Sequence, residues 1–389
     1  MKIALGIRNF SPAKGGAERY LVELTQFLVQ EGHEVHVFTH SFDKRIEGLY
    51  LHNVTLFPFP KGLRILSFAS KCHKLMKRDN FDVIIGVGNT WQADLLQPHG
   101  GVHWKWFWRS LKAYQSPWLW GAKFLGRVLS PKQWIEGIVE DAPYRTGVKQ
   151  IVAISEMVKR DIVDYYGIPE KKVVVIYNGV DTEYFHPRNK KYRKKIRSQY
   201  GLGAQDVVLI FVAHNFRLKG LRCLIQALPL IKKKNEKIKL LVVGRDNNDP
   251  YRRLAKKMGC ESDVFFAGGV RYLERYYPSA DILVHPTFYD ACSLVVLEAL
   301  ASGVPVITTQ YNGAGGIIAD GKEGFVLEDP RKVEILAKKI LYFADPIKLK
   351  EASSAARNLA KRYPLKTSYG AMLKTMQSIA SKDSQLRQL

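Results

Sequence analysis

The stretch from Ile282 to Ile307 reads ILVHPTFYDACSLVVLEALASGVPVI and contains one complete strand–helix–strand unit. The apolar run Ile282–His285 predicts a buried strand, and the apolar positions that follow Ser293 predict a helix. A second apolar run, Val304–Ile307, predicts the next strand. Two strands joined by a helix in this way lie parallel in one sheet. This stretch therefore predicts an α/β domain with a parallel sheet.

The same alternation of apolar runs and amphipathic stretches covers the rest of the chain. Other predicted strands are Ile3–Ile7, Val35–Phe38, Asp82–Gly88, Gln150–Ile154, Val207–Ala213, Lys239–Gly244 and Val264–Ala267. Predicted helices are Ala17–Leu28, Leu221–Lys232, Tyr251–Met258 and Lys332–Phe343, with helical pattern onward to about Lys382. The rhythm starts twice, which predicts two Rossmann-like, doubly wound parallel-sheet domains facing a central cleft. We assign 1–170 to the first domain and 171–365 to the second, with a C-terminal helix, 366–389, completing the first.

The amino-acid composition excludes a disordered chain and favours a protein without disulfide bonds, zinc sites or membrane-spanning helices. The chain has 389 residues, of which 46% are hydrophobic, so general disorder is excluded. The four cysteines show neither zinc-site nor disulfide spacing, which predicts buried free thiols. No apolar run has the length of a membrane-spanning helix, and Arg8 interrupts the first apolar run before it could form a signal peptide. These features predict a cytoplasmic protein whose membrane contacts are peripheral.

The positive net charge of the chain predicts an anionic partner. Lys and Arg number 60 against 36 Asp and Glu, a formal net charge of +24. Nucleic acid, an acidic lipid surface or a phosphorylated ligand would each suit that balance. Seven basic residues lie between Arg188 and Arg197 without an acidic one, and we interpret this run as a solvated face or an exposed loop and not as a binding site.

All seven tryptophans lie between Trp91 and Trp134, in a segment with unusual composition. Residues 95–135 contain no Asp or Glu but include several Lys and Arg residues. Tryptophan and basic residues together without acids favour an anionic membrane surface, contacted through residues 104–134. Packing in the core, or stacking on single-stranded nucleic acid, would also fit this composition. We favour the membrane and predict no nucleic-acid partner.

Two places carry residues suited to a phosphorylated ligand. Gly15 and Gly16 follow the first strand and open a helix, where backbone N–H groups can approach a phosphate. In the second half, Asp290 follows a strand and Ser293 begins a helix. Glu298 lies on the second turn of that apolar helix and needs a specific partner. A pair of vicinal hydroxyls would suit this carboxylate, and a Lys or backbone groups would suit it equally well.

These motifs together resemble those of the family-4 retaining glycosyltransferases, which have the glycosyltransferase-B (GT-B) fold. The resemblance covers nearly the whole chain. It rests on four blocks: the Gly15-Gly16 helix start, Tyr177–Phe185 (YNGVDTEYF), Arg217–Gly220 (RLKG), and the block from Asp290 through Glu298 to Val306. It implies transfer of a hexose, in particular glucose, from a UDP-sugar to a lipid-linked core oligosaccharide such as lipopolysaccharide heptose. It also implies work at the cytoplasmic face of the inner membrane.

The resemblance also implies roles for individual residues. Glu298 would hold the ribose hydroxyls, and Asp290 would contact the donor hexose. Arg217 and Lys219 would clamp the diphosphate, with Ser293 and Leu294 at the helix start beside them. Gly15 and Gly16 would approach the donor phosphate from the first domain. His99 would lie near the reacting sugar, although without the resemblance a core or turn histidine is the plainer interpretation.

Several features depart from the family pattern. Asp290 stands where a glutamate is usual, and His214 stands where an arginine is common. The loop Asn312–Gly316 keeps its glycines but lacks a usual nearby glutamate. No Asp-x-Asp occurs in the chain, so we expect no metal or other cofactor, with basic side chains stabilising the leaving group. An epimerase-like enzyme, a basic nucleic-acid-binding protein and an inactive homologue remain open alternatives.

Overall fold

The computed structural model describes residues 1–43, 46–56, 60–88 and 90–386, and these form two compact units. Unit 1 comprises Met1–Leu111, Gln115–Tyr177 and Lys366–Leu389, and unit 2 comprises Lys112–Tyr114 and Asn178–Leu365. The chain therefore passes from one unit to the other after Tyr177, and not after residue 170 as the sequence pattern placed it. A second difference is the short segment Lys112–Tyr114, which the sequence pattern left in the first domain.

Unit 1 is built on a seven-stranded sheet in which every neighbouring pair of strands is parallel. Its strands are β1 (Lys2–Gly6), β3 (Glu34–Thr39), β5 (Leu49–Asn53), β6 (Val83–Gly86), β7 (Leu95–Leu96), β8 (Gln150–Ala153) and β9 (Val173–Val175), in the order β5-β3-β1-β6-β7-β8-β9. A separate two-stranded parallel ribbon pairs β2 (Asn9–Phe10) with β4 (Ser41–Phe42). The helices are α1 (Gly16–Gln30), α2 (Lys61–Met76), α3 (His103–Leu111), α4 (Pro117–Val128), α5 (Pro131–Arg145), α6 (Glu156–Tyr166) and α13 (Leu365–Leu386).

Unit 2 is built on a six-stranded parallel sheet. Its strands are β10 (Val207–Val212), β11 (Ile238–Val243), β12 (Val264–Gly268), β13 (Ile282–Val284), β14 (Val306–Thr309) and β15 (Gly324–Leu327), in the order β12-β11-β10-β13-β14-β15. The helices are α7 (Arg193–Gln199), α8 (Leu221–Lys232), α9 (Asp249–Lys257), α10 (Leu294–Ala301), α11 (Val333–Phe343) and α12 (Pro346–Ala360). Both sheets thus have the doubly wound order in which the first strand lies in the middle.

The prediction of two Rossmann-like parallel-sheet domains is confirmed. The longer predicted strands coincide with β1, β3, β6, β8 and β10 to β14 within a few residues. Six strands had no prediction, namely β2, β4, β5, β7, β9 and β15. Each has five residues or fewer, and β7 has two, too few to form a recognisable apolar run. The predicted C-terminal helix 366–389 begins at Leu365, and residues 387–389 lie outside the described residues.

The basic run does not form a uniformly solvated face, which corrects the sequence interpretation. Arg197 is 3% exposed, and its guanidinium donates to the backbone oxygens of Ser279 and Gly203 and to the Asp281 carboxylate. Arg193 also pairs with Asp281, at 2.6 Å. Arg193 and Arg197 therefore connect α7 to the rest of unit 2. The Arg197 guanidinium has several acceptors because a buried charged group needs them.

Two further expectations from composition can be compared with the structure. The four cysteines are free and buried, as predicted. Across residues 1–43, 46–56, 60–88 and 90–386, none of the helices combines the length and the apolar character needed to cross a bilayer.

Candidate functional site

The candidate site of unit 2 lies where two neighbouring strands of its sheet end. β10 pairs with β11 on one side and with β13 on the other, so the chain connections leave in opposite directions at this point. Parallel sheets bind their ligands at the carboxyl ends of strands at such a switch point. Arg217 and Lys219 lie in the loop after β10, and Asp290 lies in the loop after β13.

The loops after β10 and β13 are held tightly together. Gly220 has a φ of 82°, and a Cβ atom there would lie 2.0 Å from the backbone oxygen of Pro286. Only glycine permits that approach. The backbone N–H of Phe288 donates to the oxygen of Leu218 at 2.9 Å and joins the two loops directly. The glycine of the RLKG block is therefore required by the packing of the two loops, whatever its basic residues bind.

Lys219 and Asp290 form an ion pair at this junction. The Lys219 Nζ lies 2.6 Å from Asp290 Oδ2 and also donates to the backbone oxygen of Tyr289 at 3.0 Å. Burial acts to raise the pKa of Asp290, but the charge and hydrogen bond of Lys219, together with His285 and a hydrogen bond from Ser293, leave this pKa below its ordinary value. The aspartate is therefore ionised at neutral pH and is in direct contact with Lys219.

His285 is a further group beside this pair, and sequence reasoning missed it. It lies directly after β13, is 1% exposed, and burial lowers its pKa to about 3. Lys219 lowers the pKa further. The imidazole is therefore neutral at physiological pH, so Lys219 is the cation of this small cluster.

The start of α10 lies beside Asp290 and is organised by Asn312, another residue that sequence reasoning assigned no role. Asp290 donates its backbone N–H to the oxygen of Tyr311 and accepts from the N–H of Gly313. The Asn312 Oδ1 accepts from the backbone N–H of Ser293 at 3.2 Å. Within the described residues, no side chain caps the N-terminus of α10, which begins at Leu294. Its first N–H groups can therefore serve an anionic ligand.

Glu298 lies one turn further along α10 and is 3% exposed. Its Oε2 accepts a hydrogen bond of 2.8 Å from the hydroxyl of Tyr277, a fully buried side chain. From the sequence, the alternative partners of the Glu298 carboxylate were a Lys side chain or backbone groups. The structure adds a third partner, the hydroxyl of Tyr277. A buried carboxylate that keeps its charge needs such donors.

Arg217 differs from Lys219 in its surroundings. Its side chain is exposed, and its guanidinium donates to the hydroxyl of Tyr114 at 2.6 Å and lies 4.7 Å from the centre of that ring. Tyr114 belongs to the short segment that joins unit 2. Of the two basic residues predicted to bind the diphosphate, Lys219 contacts the Asp290 carboxylate and Arg217 contacts the Tyr114 ring.

The remaining predicted residues lie in unit 1. Gly16 begins α1, and Gly15 precedes it. The carboxylate of Glu18 lies 2.7 Å from the position of a Cβ atom on Gly15, so an anion that approached this turn would meet a negative charge. His99 packs against Tyr20, with ring centres 4.9 Å apart, and its Nε2 lies 3.2 Å from Gln97 Oε1. Burial lowers the pKa of His99 to about 4, so its ring is neutral.

Two doubly wound parallel sheets, with a cation, a carboxylate and an open helix start at one switch point, are the arrangement of a glycosyltransferase of the GT-B class. Two family models match the chain: Glycosyltransferase Family 4 over residues 14–184, and Glycosyl transferases group 1 over residues 192–359. The chain belongs to the family-4 glycosyltransferases.

Individual relatives agree with this assignment. An uncharacterized glycosyltransferase of Methanocaldococcus jannaschii, MJ1607, is 28% identical over 334 residues, which are 82% of this chain and 83% of the relative. The lipopolysaccharide glucosyltransferase WaaG of Escherichia coli is 33% identical over 156 residues, 38% of this chain and 42% of WaaG. The crystal structure of WaaG matches with a TM-score of 0.79 at 22% identity and covers 97% of this chain and 99% of that chain. Anabaena HepE, solved with UDP-glucose, matches with a TM-score of 0.69 at 18% identity and covers 97% and 100% of the two chains.

Proposed function

We propose that this protein is a retaining hexosyltransferase that transfers glucose from UDP-glucose to a lipid-linked core oligosaccharide such as lipopolysaccharide heptose. The observation that carries the proposal is the Lys219–Asp290 pair beside the open start of α10. In the reaction, the bond between sugar C1 and the phosphate oxygen breaks, and negative charge grows on the departing diphosphate. Lys219, Arg217 and the first N–H groups of α10 would stabilise that charge.

The roles of the other residues follow from the same reaction. Asp290 would accept a hydroxyl of the donor hexose once Lys219 turns to the diphosphate. Glu298 would accept the ribose hydroxyls, and His99, as a neutral imidazole, would orient sugar groups. In a front-face transfer, the acceptor oxygen attacks C1 from the side of the leaving group, and the departing phosphate takes the acceptor's proton. The configuration at C1 is therefore retained.

The choice of donor and acceptor rests on the relatives. HepE was solved with UDP-glucose, and WaaG is a glucosyltransferase involved in lipopolysaccharide biosynthesis. The shared fold and the partial sequence identity support the same classes of substrate for this chain. The large positive charge of the protein, +24, is also consistent with an anionic donor and an anionic membrane.

Incubation with a panel of nucleotide sugars and a heptose-containing acceptor tests the proposal. We expect release of UDP, a mass gain of one hexose on the acceptor, and retention of the anomeric configuration by NMR. We also expect EDTA to leave the rate unchanged, because basic side chains stabilise the leaving group. A changed nucleotide sugar without a glycosylated acceptor would indicate an epimerase. Strict dependence on Mg²⁺ or Mn²⁺ would show that a metal carries this charge.

A second part of the proposal concerns location: the protein works at the cytoplasmic face of the inner membrane and binds its surface through residues 104–134. Helix α4 supports this proposal, because none of its residues is buried. Trp118 is 89% exposed, and Leu119 and Leu125 are each 57% exposed. Exposed apolar groups with neighbouring basic residues such as Lys123 suit an interfacial position on anionic lipid.

The aromatic segment also contributes to the core, as the alternative interpretation allowed. Phe107 and Leu111 of α3 are buried. Trp104 packs on Gly137 and lies 5.1 Å from Trp134 between ring centres. Arg127 donates to the backbone oxygen of Phe107 at 3.0 Å. The surface available to a membrane is therefore α4 and its neighbours, and it does not include all of the tryptophans.

Trp118→Ser combined with Leu119→Ser and Leu125→Ser should weaken binding to anionic vesicles about tenfold or more, because the apolar area that enters the interface is lost. Co-sedimentation at low salt measures the effect. The melting temperature should not fall, since these side chains are exposed. Trp104→Ser is the matched control and should lower the melting temperature. Vesicle binding equal to that of the unchanged protein would contradict the membrane proposal.

A further inference from the structure

The basic run of unit 2 has an inward side and an outward side in the structure. A 3₁₀ helix, Pro187–Tyr192, leads directly into α7, and from this segment Arg193 and Arg197 donate to acceptors within unit 2. The outward side carries four exposed lysines, namely Lys190, Lys191, Lys194 and Lys195. Among the residues that the structure describes, none has a carboxylate within ion-pair distance of these four ammonium groups.

The spacing of the four lysines makes their charges repel one another. They form two pairs whose members are four residues apart, the separation that brings side chains together on one side of a helix. Like charges at this separation are destabilising. Other surface lysines at the same separation pair with a glutamate, as in Lys132–Glu136 and Lys332–Glu328. Four lysines without such compensation therefore indicate an anionic partner outside the chain.

The connection between β12 and β13 extends this surface. The guanidinium of Arg275 lies 4.7 Å from the ring centre of Tyr192 and 4.1 Å from that of Tyr272, so it joins the connection to the basic run. Tyr272 is 42% exposed, and Arg271 beside it is exposed as well. We call the four lysines, together with Arg271 and Tyr272, the basic face of unit 2.

The acidic residues next to this face in sequence already have other partners. Glu274 is 6% exposed, and its carboxylate accepts a hydrogen bond of 2.8 Å from the hydroxyl of Tyr184. Glu183 is exposed and pairs with Arg188 at 3.2 Å. These two carboxylates therefore leave the charges of the four lysines and of Arg271 available to an external anion.

Building on the proposed work at a membrane, we infer that the basic face of unit 2 binds the headgroups of anionic phospholipids, as a second membrane contact besides α4. Lysine ammonium groups on flexible stems suit headgroup phosphates, and an exposed tyrosine suits the boundary between headgroups and acyl chains. Single-stranded nucleic acid would instead need free aromatic faces on which its bases stack. The rings of Tyr192 and Tyr272 already have cationic side chains over them. This inference departs from the sequence interpretation of the run, which assigned it no ligand.

Replacement of the four lysines by glutamine tests the basic face. Binding to mixed vesicles of phosphatidylcholine and phosphatidylglycerol, measured by co-sedimentation at low salt, should weaken about tenfold or more, because each basic residue near an anionic leaflet contributes roughly fivefold in affinity. For the unchanged protein, added salt should weaken this binding, since salt screens exposed charges. For the four-lysine variant, the dependence on salt should be much smaller.

The matched control removes the same charge elsewhere on unit 2. It replaces four other exposed lysines by glutamine, namely Lys233, Lys234, Lys256 and Lys257. This control should bind anionic vesicles nearly as well as the unchanged protein. The melting temperature of the four-lysine variant should not fall, because its substituted side chains are exposed and their mutual repulsion is removed. Unchanged vesicle binding by the four-lysine variant would overturn the inference, and so would an equal loss in the control, which would reflect net charge alone.

Comparison with the triple variant of α4 separates the two proposed membrane contacts. If vesicle binding is lost in the α4 variant and normal in the four-lysine variant, the contact through residues 104–134 stands and the basic face does not. If only the four-lysine variant loses binding, the basic face stands and the α4 contact does not. Stronger binding to a single-stranded oligonucleotide than to anionic vesicles, lost in the four-lysine variant, would assign the face to nucleic acid and overturn the inference. None of these measurements uses a nucleotide sugar, so the transfer reaction is tested independently.

Discussion

Lys219→Met should lower kcat/KM for sugar transfer by about 100- to 1,000-fold, the range found when one preorganised donor to a developing charge is removed. Methionine retains much of the length of the lysine side chain but cannot stabilise the departing diphosphate. The same change should weaken binding of UDP by about 10- to 100-fold, because a charge-assisted hydrogen bond contributes about 1.5–3 kcal/mol. Binding of uridine, which has no phosphate, should be unaffected.

The ion pair of Lys219 with Asp290 requires a control for stability. Removing one partner leaves the other charge partly buried, and the side chains are 18% and 20% exposed. Lys219→Met should therefore also lower the melting temperature. The double variant Lys219→Met/Asp290→Asn removes both charges and should recover stability.

Asp290→Asn alone separates the roles of the two partners. It should bind UDP at least as tightly as the unchanged protein, because Lys219 is then free for the diphosphate and a negative charge is gone. Calorimetry with UDP, which carries no hexose, keeps the proposed contact of Asp290 with the donor sugar out of the measurement. If the stable double variant bound UDP with unchanged affinity, Lys219 would hold the fold together and would not clamp the diphosphate.

The predictability of the fold differs between long and short elements. A strand such as β10 has six residues and appears as a continuous apolar run, so its place in the sequence is evident. β7 has two residues and is recognisable only from its pairing with β6 and β8. Such a strand depends on contacts distant in sequence, and a pattern within one window cannot predict it.

Side-chain contacts in the candidate site also depend on residues distant in sequence, so a local sequence pattern cannot predict them. Motif resemblance brought Lys219 and Asp290 to one place, but their direct ion pair depends on the close approach that Gly220 permits. Sequence reasoning also missed His285, which is 1% exposed beside this pair. Its burial and its neutral ring follow from the three-dimensional packing around it, which no sequence pattern reports.

Glu298→Gln should weaken binding of UDP by about 10- to 100-fold, because the charged acceptor that strengthens hydrogen bonds to the ribose hydroxyls is replaced by a neutral amide. Calorimetry with UDP and with its 2′-deoxy and 3′-deoxy analogues would measure this effect. For the unchanged protein, each missing hydroxyl should reduce affinity. For the variant, the deoxy analogues and UDP should bind with nearly the same affinity, because the hydroxyl and the carboxylate contribute through one interaction.

Tyr277 provides the matched control for this measurement. Its hydroxyl donates to Glu298 Oε2 at 2.8 Å, so Tyr277→Phe removes one structural hydrogen bond and leaves the carboxylate in place. We expect Tyr277→Phe to lower the melting temperature but to keep the preference for UDP over its deoxy analogues. A structural role for Glu298 alone predicts instead that both variants lower stability and that neither alters this preference. The difference between UDP and the deoxy analogues therefore decides whether Glu298 binds the ribose or only anchors the buried tyrosine.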